Sequence, residues 1–380
     1  MILNDQISNN NSDNDASGGG ILDAILETEH AHALADFNPE DSASELLALL
    51  RDREREILAM RYGLKSYPQH TLEGIGKKLG LTRERVRQVE KESLRRLRAQ
   101  THPETVKRSA EIIKRIIEDH GGIFAEHALA DHLLVADKSE KKINAMLFLL
   151  ELFDEFNNLP ESSNFHRAWH IGGFDFKKLD LFHETVISHF KQAGEPKDLE
   201  TLKSFFASHE NFADHKEYFQ DKVVENLLRI IKQISSNPFG HYGLVTWRVI
   251  KPRDVGDKAY LVLKHYGKPE HYTKITEKIN EHVFDDRTAY KETVHNELIM
   301  DTRFVLVGRG IYALTEWGYQ KGVVTDVIKA VLAEFGEPIT RNKIIDEVMK
   351  RRIVKRNTIL VGLANKKHFR KIGKDKFSLV

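Results

Sequence analysis

Arg83, Glu84, Arg87 and Gln88 are the side chains of this sequence whose types and spacing most clearly imply a chemistry. An arginine fork can donate to guanine O6 and N7, a glutamine amide can pair with adenine, and a carboxylate can accept from a cytosine amine. A mixed set of this kind suits reading base edges, whereas charge neutralisation would need cations alone. At 100° per residue the four fall on one side of a helix, while Val86, Val89, Ser93 and Leu97 line a stripe roughly opposite. One face can pack while the other reads.

Other chemistries find no home in the sequence. There is no cysteine, which excludes disulfides and thiolate zinc sites. His127 and His132 are five residues apart, a poorer spacing than i, i+4 for one helix face, so no metal site is expected and the histidines read as surface or packed residues. No Walker-type phosphate loop occurs, the Gly308-Arg309-Gly310 turn being short and set in a hairpin pattern. No nucleophile elbow or nuclease-like carboxylate cluster is visible. The expectation is therefore a protein without catalytic residues or cofactor, not an enzyme. Phe205, Phe206, Trp247, Tyr312 and Trp317 could stack on bases, but aromatics at helix and hairpin positions read first as core.

The elements that must position the reading face are legible. Leu46, Leu47, Leu49, Leu50, Ile57 and Leu58 supply apolar helix faces before a stop at Gly63, and residues 66–70 read as a loop. Leu72, Ile75 and Leu79 mark a helix of about eight residues that starts near Thr71 and closes at Gly80. Thr82 then caps the next helix. This is a helix-turn-helix, in which the first helix braces and the start of the second reaches the major groove. Arg95, Arg96 and Arg98 stand near the second helix's C-terminus, where cations favour the helix dipole as well as phosphate.

Charge is segregated along the chain although the formal net charge is only +1. Residues 1–50 hold ten acidic and no basic residues; residues 51–100 hold fourteen basic against seven acidic; residues 341–376 hold thirteen against three. Such clustering is an electrostatic footprint expected for nucleic acid. Neither a signal peptide pattern nor a run of about 18 apolar residues is present, so a cytoplasmic protein with no membrane partner is expected.

Residues 1 to about 20 lack the apolar content to offset ordering entropy and are expected to be disordered; the short apolar segment 21–26 could dock on a partner or be an idle amphipathic turn. Beyond residue 103 a theme recurs at intervals of about 65–75 residues. Each segment has an apolar-periodic helix that ends in glycine, at Gly121-Gly122, Gly194, Gly267 and Gly336, followed by a fresh helix start. Hairpin signals close the segments around 169–176, 241–250, 304–314 and 369–379. Three helices plus a hairpin make a winged helix. The expected fold class is mainly α, a helix-turn-helix domain followed by tandem small winged-helix (α+β) domains. The expected division is 1–40 acidic tail, 41–100 helix-turn-helix, 104–178 and 179–251 winged-helix-like, 252–318 winged helix, and 321–380 basic winged-helix-like.

The ordered series Arg53-Glu54-Arg55-Glu56, Met60-Arg61-Tyr62-Gly63-Leu64, Thr71-Leu72-Glu73, Ile75-Gly76 and Leu81 to Glu90, followed by Leu94 to Arg98, resembles domain four (region 4) of sigma-70-family initiation factors. That resemblance covers about residues 41–100. It implies reading of a promoter −35 element in double-stranded DNA and contact with the β-subunit flap of core RNA polymerase. Arg83, Glu84, Arg87 and Gln88 match the family's base-facing positions. Arg53, Arg61, Leu72 and Glu73 match its phosphate-contacting positions. Gly74, Lys91 and Glu92 depart from the pattern. The acidic stretch of forty residues before this segment is too short to supply a −10-capturing domain, which argues against a stand-alone sigma factor.

A second resemblance lies at about 252–318, where Pro269 to Ile275, Thr293 to Leu298 and Asp301 to Trp317 are similar to the HARE-HTH winged helix, related to the N-terminal domain of the polymerase δ subunit. Together these imply a bacterial, nucleoid-associated transcription protein that works with RNA polymerase in initiation or its regulation. Two alternatives stay open: a δ-like accessory subunit without sequence choice, and the recognition module of a DNA modification or restriction system.

Overall fold

The structure, a computed structural model, describes residues 37–65, 67–135, 137–319 and 322–380. The apolar segment 21–26, His30, His32 and most of the acidic tail lie outside the described residues. The described chain is mostly helical with small antiparallel sheets. It divides into two compact units: one comprises residues up to His183 with Phe205–Lys232, the other Glu184–Ser204 with Gln233–Val380.

In the first unit, α1 (Pro39–Ala48), α2 (Asp52–Tyr62), α3 (Leu72–Leu79) and α4 (Arg83–Ala99) build the helix-turn-helix and its support. Ile57, Met60, Ile75 and Val86 are buried together, with Leu72, Leu79, Leu81 and Val89 packed around them. Burying side chains of this size stabilises by about 1.5–3 kcal/mol each. Arg55 joins α2 to α1 by donating to the carbonyls of Leu47 and Leu50 at 2.9 and 2.8 Å, which caps the C-terminal end of α1 with a cation.

The turn between α3 and α4 is set by glycine at two positions. Gly80 ends α3 in the left-handed region with φ 66°, where a Cβ would be strained. Gly76 sits inside α3 where a Cβ would lie 2.6 Å from the Leu81 carbonyl oxygen. Backbone meets backbone there, so no side chain can give way.

The helix-turn-helix segment is packed onto the next stretch of the chain. That stretch comprises α5 (Glu104–Asp119), β1 (Ile123–Ala125), α6 (Glu126–Leu133), α7 (Glu140–Leu152), β2 (Phe156–Leu159) and β3 (Ala168–Ile171). Helix α1 packs against both α5 and α7, with Ser42 and Ser109 hydroxyls 2.8 Å apart in the buried seam. The Tyr62 and Phe148 rings lie 5.0 Å apart, and the Asn144 amide donates to the Gly63 carbonyl at 3.3 Å. Arg98 closes the seam by donating to the carbonyls of Glu151 and Leu152, both at 2.8 Å, at the end of α7.

The remaining elements are α8 (Phe176–Ala193), β4 (Lys197–Asp198), α9 (Leu199–Ser208), α10 (Asp221–Ile230), β5 (Ile234–Ser236) and β6 (His241–Leu244). They continue with α11 (Val255–Tyr266), β7 (Glu270–His271), α12 (Tyr272–Glu281), α13 (Lys291–Met300), β8 (Phe304–Gly308) and β9 (Ile311–Leu314). The chain ends with α14 (Val324–Phe335), β10 (Ile339–Thr340), α15 (Arg341–Arg351), α16 (Arg356–Leu363), β11 (Phe369–Ile372) and β12 (Lys376–Leu379). The order helix, strand, helix, helix, strand, strand thus occurs four times from α5 onward. Each sheet also has the same strand order, with the last strand central: β1-β3-β2, β4-β6-β5, β7-β9-β8 and β10-β12-β11. Gly194, Gly267 and Gly336 end the leading helices at φ 64–66°.

Two hairpins lie earlier than the sequence pattern suggests. β2 pairs β3 with Phe156 opposite Ile171, and β5 pairs β6 with Ile234 opposite Leu244. Residues 169–176 and 241–250 thus contain only the second strand of each hairpin, and Phe176 begins α8. The first strands, Phe156–Leu159 and Ile234–Ser236, are short and largely polar, so they carry too little alternation to be read. Of the five large aromatics expected in the core, Phe206 and Tyr312 are buried, and Phe205, Trp247 and Trp317 are half-buried.

Gly76→Ala is expected to lower stability by about 1–3 kcal/mol, the cost of overpacking a contact that cannot relax. Urea unfolding followed by circular dichroism checks this, and an unchanged midpoint would mean that the turn opens freely.

Candidate nucleic-acid interface

The reading face is held by its own helix start. Thr82 caps α4 by accepting from the Arg85 backbone N–H at 3.1 Å, and Thr71 caps α3 by accepting from Gly74 N–H at 3.1 Å. Val86, Ser93 and Leu97 are fully buried along one side of α4, with Val89 half-buried. Arg83, Glu84, Arg87 and Gln88 are all exposed on the other. The 3.6-residue period therefore divides the helix as the sequence implies.

Glu84 organises this face. Arg87 donates to its carboxylate twice, from Nε at 2.8 Å and from Nη2 at 2.6 Å, and the Gln88 amide lies 3.5 Å from Glu84 Oε1. The hydrogen bonds from Arg87 hold the Glu84 carboxyl below its ordinary range, and the same bonds hold the Arg87 guanidinium above its own. Both groups are charged at neutral pH. A guanidinium has five N–H donors, and this side-on pairing uses only Nε–H and one Nη2–H. The remaining end-on hydrogens, on Nη1 and Nη2, can still form a fork toward a guanine edge. Arg85, on the flank of the face, reaches Gln88 Oε1 at 3.4 Å. Its exposure was hard to foresee because at 100° per residue it falls between the reading face and the buried stripe.

The four other expected contact residues are placed differently from one another. Arg53 is exposed on α2 and, like Arg83, forms no ion pair with any described residue. Leu72 is half-buried in the core cluster, and the Glu73 carboxylate pairs with Lys77 at 2.8 Å. What their position at the start of α3 offers an anion is backbone N–H groups, because the Thr71 cap engages only that of Gly74. Arg61 is held between Glu90, at 3.0 Å, and the His70 carbonyl, at 3.4 Å. It braces α2 against α4, as does Arg96, which pairs with Glu54 at 2.9 Å. The C-terminal arginines of α4 also divide: Arg95 pairs locally with Glu92, and Arg98 caps α7.

Residues 46–99 match the family model for Sigma-70, region 4. The match contains α2, α3 and α4 and the whole buried cluster around Ile57, Met60, Ile75 and Val86. The matched segment is a DNA-binding helix-turn-helix of transcription-related role, and it is not a catalytic domain. Of the departures from the region 4 pattern, Gly74 supplies the N–H that Thr71 caps, Glu92 is neutralised by Arg95, and Lys91 is exposed. Among the described residues no group of three or more His, Asp or Glu is arranged to hold a metal, and no helix is long and apolar enough to cross a membrane.

Glu84→Ala frees Arg87 and removes a negative charge from the face. Fluorescence anisotropy on random duplexes should show tighter binding, while a binding-site selection should show weaker base preference at the Arg87 step. Unaltered preference would remove Glu84 from the reading arrangement.

Proposed function

We propose that the region 4-like segment reads a promoter −35-like element in duplex DNA and that the chain acts with RNA polymerase in transcription initiation or its regulation. The observation that carries this reading is the face of α4, where Glu84 holds Arg87 and Gln88 beside the exposed Arg83 at the helix start. Arg83, Glu84, Arg87 and Gln88 are the base-reading residues. Arg53 and the backbone at Leu72 and Glu73 position the helix on phosphates, and Arg61 contributes by bracing α2 and the loop before α3.

Sequence-dependent affinity comes from this face, each good bidentate pair discriminating by about 1–3 kcal/mol. The four repeated α+β units are winged helices, the one at about 252–318 of HARE-HTH type, and they serve as further docking modules for DNA or polymerase. The β flap is the polymerase surface assigned to the region 4-like segment. The segment's packing against α5 and α7 supports a regulator of polymerase over a freely mobile sigma domain.

Arg87→Ala is expected to relax base preference at one step by about 1–3 kcal/mol while leaving the fold intact. A binding-site selection that returns the same preference would overturn the assignment. Core RNA polymerase should co-purify with the full chain, and footprinting with and without a separate primary sigma factor should reveal protection of −35 size. Polymerase binding without such protection would favour a δ-like accessory role, and no polymerase binding would favour the modification-system reading.

A further inference from the structure

The last basic cluster of the sequence becomes a defined corner in three dimensions. Arg341, at the start of α15, donates its backbone N–H to the Asp375 carbonyl at 2.9 Å and pairs with the Asp375 carboxylate at 2.6 Å, which ties the helix start to the β11–β12 turn. Arg356, at the start of α16, donates to the Asn342 side chain at 2.8 Å, which brings that second helix start to the same place. Lys376 stands opposite Thr340 in the β10–β12 register, beside the α15 cap.

Three basic elements therefore converge, and the charge there is not consumed internally. Lys355, Lys374 and Lys376 are exposed and form no ion pair with any described residue. Asp375, the carboxylate of the turn, is already engaged by Arg341. Neither α15 nor α16 has an acidic residue in its first turn. The contrast lies in the segment 252–318, where Lys258, Lys264, Lys278 and Arg303 are each paired with a carboxylate at 2.5–3.4 Å. Paired cations stabilise a fold or break even; unpaired ones clustered on one corner attract an anionic partner.

We propose that this corner is a second DNA contact, which grips the phosphate backbone of a duplex without regard to sequence. Exposed Asn357, Thr358 and Val361 on α16 extend the surface with small polar and apolar groups that a groove can accept. A duplex is favoured over an acidic protein because the same chain carries a DNA-binding region 4 segment, and a second site on one chain raises the effective concentration of the first. The proposal does not depend on base reading by α4.

The test uses the full chain and a random-sequence duplex of about 30 base pairs, with anisotropy measured across a salt series. Lys355→Gln combined with Lys374→Gln should flatten the log affinity against log salt slope by roughly 0.9 per lost phosphate contact and weaken binding by roughly five- to tenfold per contact near 0.1 M salt. Lys366→Gln with Lys367→Gln removes the same charge from the turn that follows α16, beyond a helix about 12 Å long at 1.5 Å per residue, and should change both far less. Equal effects from the two pairs, no effect from the first, or equal loss of poly-glutamate binding would each overturn the proposal. Arg87→Ala, run in parallel, should alter base preference but leave the contribution of the corner intact, so failure of one site is distinguishable from failure of the other.

Discussion

The contact between the Gly76 α-carbon and the Leu81 carbonyl constrains everything that the α4 face can do. Two helices joined by a short turn can cross at the required angle only if their backbones approach closely, and a methyl group at Gly76 would stand 2.6 Å from that oxygen. The close approach lets Ile75 and Val86 share one core with Ile57 and Met60. With that core formed, Arg83, Glu84, Arg87 and Gln88 are left outside by helical periodicity. Reading and packing are thus two consequences of one backbone contact.

Arginine does two kinds of work in this segment, and only the folded chain separates them. Arg55, Arg61, Arg96 and Arg98 spend their guanidinium groups on carbonyls and carboxylates within the protein. Arg53 and Arg83 form no ion pair with any described residue, and Arg87 is clasped so that part of its donor set still faces outward. A count of basic residues overstates the charge available to a nucleic acid here. In the C-terminal segment the count is nearer the truth, because few carboxylates stand close enough to intercept the lysines.

Much of the fold was legible because local physics governs it. The caps Thr71 and Thr82, the stop glycines and the division of α4 into two faces follow from hydrogen-bond capping, positive φ and a period of 3.6. The repeated helix–glycine theme was equally legible, since Gly194, Gly267 and Gly336 each end a helix in the left-handed region. Strands of two to four residues were harder to see. β1, β4, β7 and β10 are defined by pairing with a distant strand, and β2 and β5, though paired within hairpins, are likewise too short to display alternation of their own.

By itself the sequence determined the helix-turn-helix, its likeness to sigma region 4, the exposed face of α4 and the segregation of charge, because each is encoded within about twenty to sixty residues of contiguous chain. Only the tertiary structure decided that α1 packs against both α5 and α7, that Arg61 and Arg98 brace the fold, and that two helix starts and a hairpin turn meet at one basic corner. Those outcomes join residues from 14 positions apart, as in Arg356 with Asn342, to more than 90, as in the packing of Pro39–Ala48 on Glu140–Leu152. Partners so distant in sequence are chosen by shape and hydrogen-bond satisfaction when the chain closes on itself, and no local pattern specifies them.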